Sequence, residues 1–175
     1  MTDIEKIDFL EKNISKLKQE VQKLRLVIKN YKYDSLTGLL RRSDFNDRFD
    51  ELWYYHKEFG HRFILAMLDL NGLHELNRSV SFEAGDELII NVANQLKNSF
   101  EDSNIFRAGG DEFVILKRGN DVDGFIERLN TIDNIEYGVV TTQENYESEQ
   151  EMFNRVDEII ISKKNKKGKR EIIFN

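Results

Sequence analysis

The sequence contains no cysteine and no proline. The first absence removes disulfides, zinc ribbons and thiol catalysis together. The second leaves turns to Gly, Asn, Asp and Ser. No stretch approaches the ~18–20 consecutive apolar residues of a membrane span. The opening MTDIEKIDFLEKN is acidic and polar, unlike the basic-then-apolar pattern of a secretory leader. These absences make cytoplasmic residence the expectation. An excess of positive charge is missing too. The 26 Lys and Arg stand against 32 Asp and Glu, a formal charge of −6 at pH 7. This balance argues against binding long nucleic acid and leaves a single nucleotide open.

What is present suits one compact domain plus an appendage. The chain has 175 residues, 39% of them hydrophobic and 33% charged, enough for a core under a well-charged surface. The appendage is residues 1–33. Ile7, Leu10, Ile14, Leu17, Val21, Leu24, Ile28 and Tyr31 follow one another at alternating spacings of three and four. This is a heptad seam with β-branched residues at a and mainly Leu at d, the pattern of a parallel two-stranded coiled coil. In that register Lys6 faces Glu11 of the other strand, and Glu20 faces Arg25. A homodimer through residues 4–31 is therefore expected. The alternative, an amphipathic helix folded back on its own domain, ordinarily has a wider apolar face.

From Asp34 to residue 175 the pattern becomes alternating helices and strands. DSLTGLL is a turn-rich entry. Ser43 is the expected N-cap of a helix reaching about Phe59, with Phe45, Phe49, Leu52 and Trp53 on one face. FILAMLDL (63–70) reads as a buried central strand ending in Asp69. A polar loop follows, then a helix from about Phe82 to Phe100. IFRAGGDEFVIL (105–116) reads as a hairpin around Gly-Gly. Beyond it lie a helix near 121–130, a strand near 134–142, a helix near 149–163 and a closing strand EIIF. The expected fold class is α+β, with helices on one side of a mainly antiparallel central sheet.

Asp69 ends the most apolar strand, and Asp111 and Glu112 sit at the hairpin turn. Carboxylates gathered at strand ends make an all-oxygen site suited to Mg²⁺ or Mn²⁺. Gly109 and Gly110 allow a tight bend and a close approach of ligand to backbone.

At this point the chain resembles a known family. Arg107-Ala108-Gly109-Gly110-Asp111-Glu112-Phe113 is similar to the RxGGDEF signature of GGDEF domains. Asp34-Ser35-Leu36-Thr37-Gly38-Leu39 resembles their opening D-x-L-T-G-L, and Arg42 falls on a later arginine of that motif. Asp69-Leu70-Asn71 stands at their D-x-D, and Asn77 with Asp86 matches their N-x8-D spacing.

The resemblance implies a diguanylate cyclase on a fold similar to nucleotidyl cyclases and polymerase palms, joining two GTP into cyclic di-GMP. It implies two Mg²⁺ or Mn²⁺ ions per site, held by Asp69, the Leu70 carbonyl, Asp111 and Glu112, with Asp111 helping to remove the hydroxyl proton. Gly72 and Leu73 fall in the substrate-binding loop after that strand. Asn77 and Asp86 are implied to read guanine. An Asp accepts from its N1–H and N2–H₂, while an Asn amide both gives and accepts.

The departures from the family pattern bear on activity. His74 stands where the family has a phosphate-neutralising lysine, and an imidazole carries less positive charge at pH 7 than an ammonium. Arg78 is a possible substitute for that charge. In VDEIIISKKNKKGKR, Lys164 and Arg170 (or Lys169) are the implied phosphate-contacting residues, in a motif with one extra residue. The family's inhibitory product site, R-x-x-D, is here Phe100 and Ser103, so feedback inhibition through it is expected to be missing. Retention of every metal and guanine position favours an active enzyme. His74 and the altered basic motif favour a catalytically silent GGDEF domain that binds GTP and signals as an interaction module. A third reading is a cyclase making another dinucleotide.

Overall fold

A computed structural model describes residues 3–171. The elements run α1 (Asp3–Lys32), β1 (Leu40–Arg41), α2 (Arg42–Phe59), β2 (Phe63–Leu70), α3 (Leu73–Ser79), α4 (Phe82–Ser99), β3 (Asn104–Arg107), β4 (Glu112–Arg118), α5 (Val122–Leu129), β5 (Ile135–Thr141) and α6 (Glu149–Glu171). The five strands form one sheet in the order β1-β3-β4-β2-β5. The β1–β3 pair is parallel and the remaining pairs are antiparallel, so the sheet is mainly antiparallel as expected.

One expectation is corrected: the helices cover both faces. On one face Ile89, Val92, Ala93 and Leu96 of α4 join Phe125 and Leu129 of α5 against Ile64, Leu68 and Ile115. On the other, Phe45, Phe49 and Leu52 of α2 join Met152 and Val156 of α6 against Leu65, Val114 and Val140. The cause is visible in β2, where FILA is buried at every position. A strand apolar on both sides must be covered on both sides.

Local chemistry explains most of the remaining differences. Helix α2 starts at Arg42, with Arg41 extended at the N-cap position and no side-chain cap. Ser43 lies inside the first turn rather than capping it. Ser81 does cap α4, accepting from the Ala84 N–H at 3.2 Å. The segment read as a polar loop contains α3, entered through Gly72 at φ 81°, a left-handed conformation that glycine adopts without steric cost. Helix α6 runs on through Glu171, so the expected closing strand does not begin there, and Ile172–Phe174 lie outside the described residues.

Helix α1 does not fold back on the domain. Its seam residues Ile14, Leu17 and Val21 are 49%, 59% and 47% exposed. The long helix with an unburied seam fits a coiled-coil strand.

Helix α6 packs so closely on β5 that its backbone touches the sheet. A Cβ added to Gly138 would stand 2.6 Å from the Val156 carbonyl oxygen and 2.9 Å from Val156 Cγ2. Backbone cannot swing aside as a side-chain tip can, so the clash outweighs the better strand propensity of a branched residue. Gly138→Val is expected to destabilise by about 2–3 kcal/mol, read as a fall of roughly 6–10 °C in Tm. An unchanged thermal transition would show that α6 is not seated in this way.

Candidate active site

The site is built at one end of the sheet. Register pairs Asp69 of β2 with Glu112 of β4 on one side and with Glu136 of β5 on the other. Two backbone hydrogen bonds continue the ladders past the strand end: Leu70 N–H donates to the Asp111 carbonyl at 2.9 Å, and Asn71 N–H to the Asn134 carbonyl at 2.8 Å. The hairpin turn is thereby tied to the end of β2. Asp69 is half-buried, and Asp111 and Glu112 are exposed. Asp69 and Glu112 line a common 180 Å³ cleft with Asp157 and Ile161 of α6.

The turn has little room to spare. A Cβ on Gly109 would lie 2.7 Å from Glu112 Oε2, so the carboxylate folds back over a position only glycine leaves clear. Arg107 anchors the turn from behind, donating from Nη2 to the Gly110 carbonyl at 2.8 Å and from Nη1 to Asp34 Oδ1 at 3.1 Å. Asp34 also accepts from the Thr37 N–H and hydroxyl, at 2.9 and 2.7 Å. Burial alone would raise the Asp34 pKa, but the bonds from Thr37 and the Arg107 guanidinium outweigh it and hold the carboxyl below its ordinary value. The DSLTG turn and the Gly-Gly turn are thus one ion-paired unit.

Helices α3 and α4 carry the other expected residues. Gly72 and Leu73 form the entry to α3, and His74 and Arg78 project from it, exposed. Asn77 is packed against Gly85, where a Cβ would lie 1.8 Å from Asn77 Oδ1 and 3.1 Å from Leu73 Cδ1. Asn77 Oδ1 is buried and has no hydrogen-bond partner, and Asp86, the next residue along α4, is exposed. Unpaired buried acceptors are uncommon, and this one belongs to the pair expected to read a base. Lys164 and Arg170 both fall in α6, with side chains outside the described residues.

Some residues of this region escaped the sequence reading. Glu136 is 7% exposed and stands opposite Asp69. Its signal was phase, because in NIEYGVV it shares the inward alternation of Gly138 and Val140. Lys163 of α6 donates to the Tyr137 carbonyl at 2.9 Å and lies 3.9 Å from that ring's centre. Phe100, at the first position of the family's inhibitory motif, is fully buried against Phe125.

The donor set fits a hard cation that shares its coordination with a ligand. Among the described residues no three acidic or imidazole side chains converge as a ready cage. Mg²⁺ commonly takes one or two carboxylates and leaves the remaining positions to water and substrate phosphates. Asp69 and Glu112 in one cleft, with Leu70 and Asp111 joined beside them, meet that requirement.

Solved structures similar to this chain share its fold. The coiled coil and GGDEF domain of DgcB from Caulobacter crescentus, in complex with c-di-GMP, superposes with a TM-score of 0.76 at 22% identity, covering 89% of this chain and 94% of that one. Diguanylate cyclase SiaD from Pseudomonas aeruginosa, in complex with its activator SiaC, gives 0.71 at 21% identity over 93% of this chain and 70% of that one. The FimX GGDEF domain from the same species gives 0.68 at 21%, over 75% and 92%.

Among curated proteins, an uncharacterized membrane protein of Staphylococcus haemolyticus is 24% identical over 167 residues, covering 82% of this chain and 46% of its own length. One of Staphylococcus epidermidis is 26% identical with the same coverage. The chain thus spans about half the length of these curated relatives. The expectation of cytoplasmic residence is overturned by them, since they are membrane proteins by name. The absences it rested on concern only this stretch, in which no described helix is long and apolar enough to cross a membrane. The family model for the diguanylate cyclase GGDEF domain matches residues 31–170, and the chain belongs to that family.

Proposed function

We propose that the chain is a diguanylate cyclase, condensing two GTP into cyclic di-GMP with release of two pyrophosphates, with residues 34–175 as the catalytic domain and residues 1–33 as a dimerising coiled coil. The observation that carries this reading is the meeting of Asp69 with Glu112, acids of two separate motifs, in one cleft. Asp69, the Leu70 carbonyl, Asp111 and Glu112 would hold two Mg²⁺ or Mn²⁺ ions. Such ions neutralise triphosphate charge and ease ionisation of the attacking hydroxyl. Asp111, exposed at the turn, accepts the proton of the 3′-hydroxyl presented by the facing nucleotide. Gly72 and Leu73 bring backbone to the phosphates, with His74 beside them as a hydrogen-bonding group and Arg78, Lys164 and Arg170 contributing positive charge. Asn77 and Asp86 pair with guanine, and adenine would leave those groups mispaired. The product is two-fold symmetric, so two domains face one another, and the coiled coil keeps them near.

Incubation of the chain with GTP and Mg²⁺ or Mn²⁺, followed by mass spectrometry, is the test. Cyclic di-GMP is the expected product, and mixed nucleotides separate this reading from a cyclase of another dinucleotide. No product with GTP binding intact would favour the silent module, the reading supported by an exposed His74 in place of lysine.

The Asn77–Gly85 contact supplies a sharper prediction. In Gly85→Ala the new methyl overlaps Asn77 Oδ1, the tip of a side chain that can rotate away. Gly85 lies within α4, and alanine there gains up to about 1 kcal/mol of helix propensity, so Tm is expected to stay nearly constant. GTP affinity is expected to fall roughly tenfold, about the loss of one base hydrogen bond, with weaker discrimination against ATP. Unaltered nucleotide selectivity in Gly85→Ala would remove Asn77 from base reading.

A further inference from the structure

A second cleft beside the Gly109–Gly110 turn carries charge of the opposite sign. Its 430 Å³ are lined by Arg41, Arg42 and Arg107, with Asp34 and the two glycines, and it shares no lining residue with the acidic cleft. Three guanidinium groups against one carboxylate leave it positive, and that carboxylate is already engaged by Arg107 and Thr37. Arg107 uses Nη1 and Nη2 within the turn, yet its Nε is buried with no hydrogen-bond partner. Arg41 spends Nε on the Tyr33 carbonyl at 2.8 Å. Arg42 is exposed and makes no ion pair with the described residues.

Two features of the backbone add to the charge. Helix α2, of 18 residues, begins at this cleft with no side-chain cap, so the free N–H groups of its first turn add partial positive charge. Asp44 is the acid of that turn but does not line the cleft. Gly110 leaves open space where any other side chain would stand.

We propose that this cleft is an anion site taking a phosphate chain, that of a nucleoside triphosphate or the pyrophosphate released from one. Guanidinium forks pair bidentately with phosphate oxygens, and a polyanion matches the charge of Arg41 and Arg42 left over beside the Arg107–Asp34 pair. The proposal rests on the cyclase reading only for the source of the phosphate. Binding itself needs no divalent cation, which is the basis of the test.

The full chain is titrated calorimetrically with sodium pyrophosphate in buffer containing EDTA, where the acidic cleft holds no metal. Wild type is expected to bind. Arg42→Gln is expected to weaken binding at least fivefold, and the double variant Arg41→Gln/Arg42→Gln to lose it over the same range, with far-UV circular dichroism unchanged. GTP in the same buffer separates the sources. GTP binding tighter than pyrophosphate that Arg42→Gln weakens in parallel assigns the nucleotide, and GTP binding no tighter than pyrophosphate assigns the phosphate chain alone. No binding of either by wild type, or equal binding by Arg42→Gln and wild type, overturns the site. That failure would leave metal-dependent turnover of GTP untouched, whereas absent turnover with intact binding in EDTA would overturn the cyclase reading alone.

Discussion

Asp111→Ala is expected to abolish formation of cyclic di-GMP, lowering the rate by at least about 10²–10³-fold, the scale seen when one electrostatic partner of a transition state is removed. The fold should survive, because what ties Asp111 to the sheet is its backbone carbonyl, the acceptor of the Leu70 N–H, and alanine keeps it. The side chain itself is exposed, so its removal opens no cavity. A normal thermal transition with no product, beside a productive wild type, would place the loss in chemistry rather than folding. Undiminished product from Asp111→Ala would remove this residue from the mechanism, and a silent wild type would move the whole protein to the non-catalytic reading.

Breaking the coiled coil is the second large effect. In the double variant Leu17→Glu/Leu24→Glu two d positions of the seam become charged. Both residues are more than half exposed in the single chain, at 59% and 56%, so the variant should leave the domain's stability unchanged while forbidding the dimer. Tethering gives two domains a local concentration near millimolar, and avidity gains of 10²–10⁴ are typical of such links. Product formation at low micromolar protein should therefore fall about 100-fold, while GTP binding per domain stays constant. Light scattering would report a monomer. A variant that remained dimeric, or a monomer as active as wild type, would show that the helix is not what brings the sites together.

Much of the architecture was legible because it is written in short-range patterns. The 3-4 spacing from Ile7 to Tyr31 announced α1, the run FILAMLDL announced β2 over its full length, and Phe82 to Phe100 nearly bounded α4. The misreadings have physical causes. Ser43 is a good capping residue, yet the chain enters α2 directly from β1 and leaves Arg41 at the cap. The 71–81 segment looks polar because no residue of α3 is fully buried. Its helix is held by packing on α4 at Asn77, Leu73 and Gly85 rather than by an apolar stripe of its own.

By itself the sequence determined the family motifs, the seam and the types of the longer elements, since periodicity and turn chemistry depend on neighbours within a few residues. Only the tertiary structure decided which acids meet. Strand register places Asp69 between Glu112 and Glu136, and register is the outcome of packing summed over whole strands. The two-sided cover of the sheet, the Asp34–Arg107 ion pair across 73 residues of chain and the convergence of Arg41, Arg42 and Arg107 on one cleft arise in the same way. A side chain's hydrophobicity or charge says whether it seeks burial or a partner, and the folded chain alone decides where each is found.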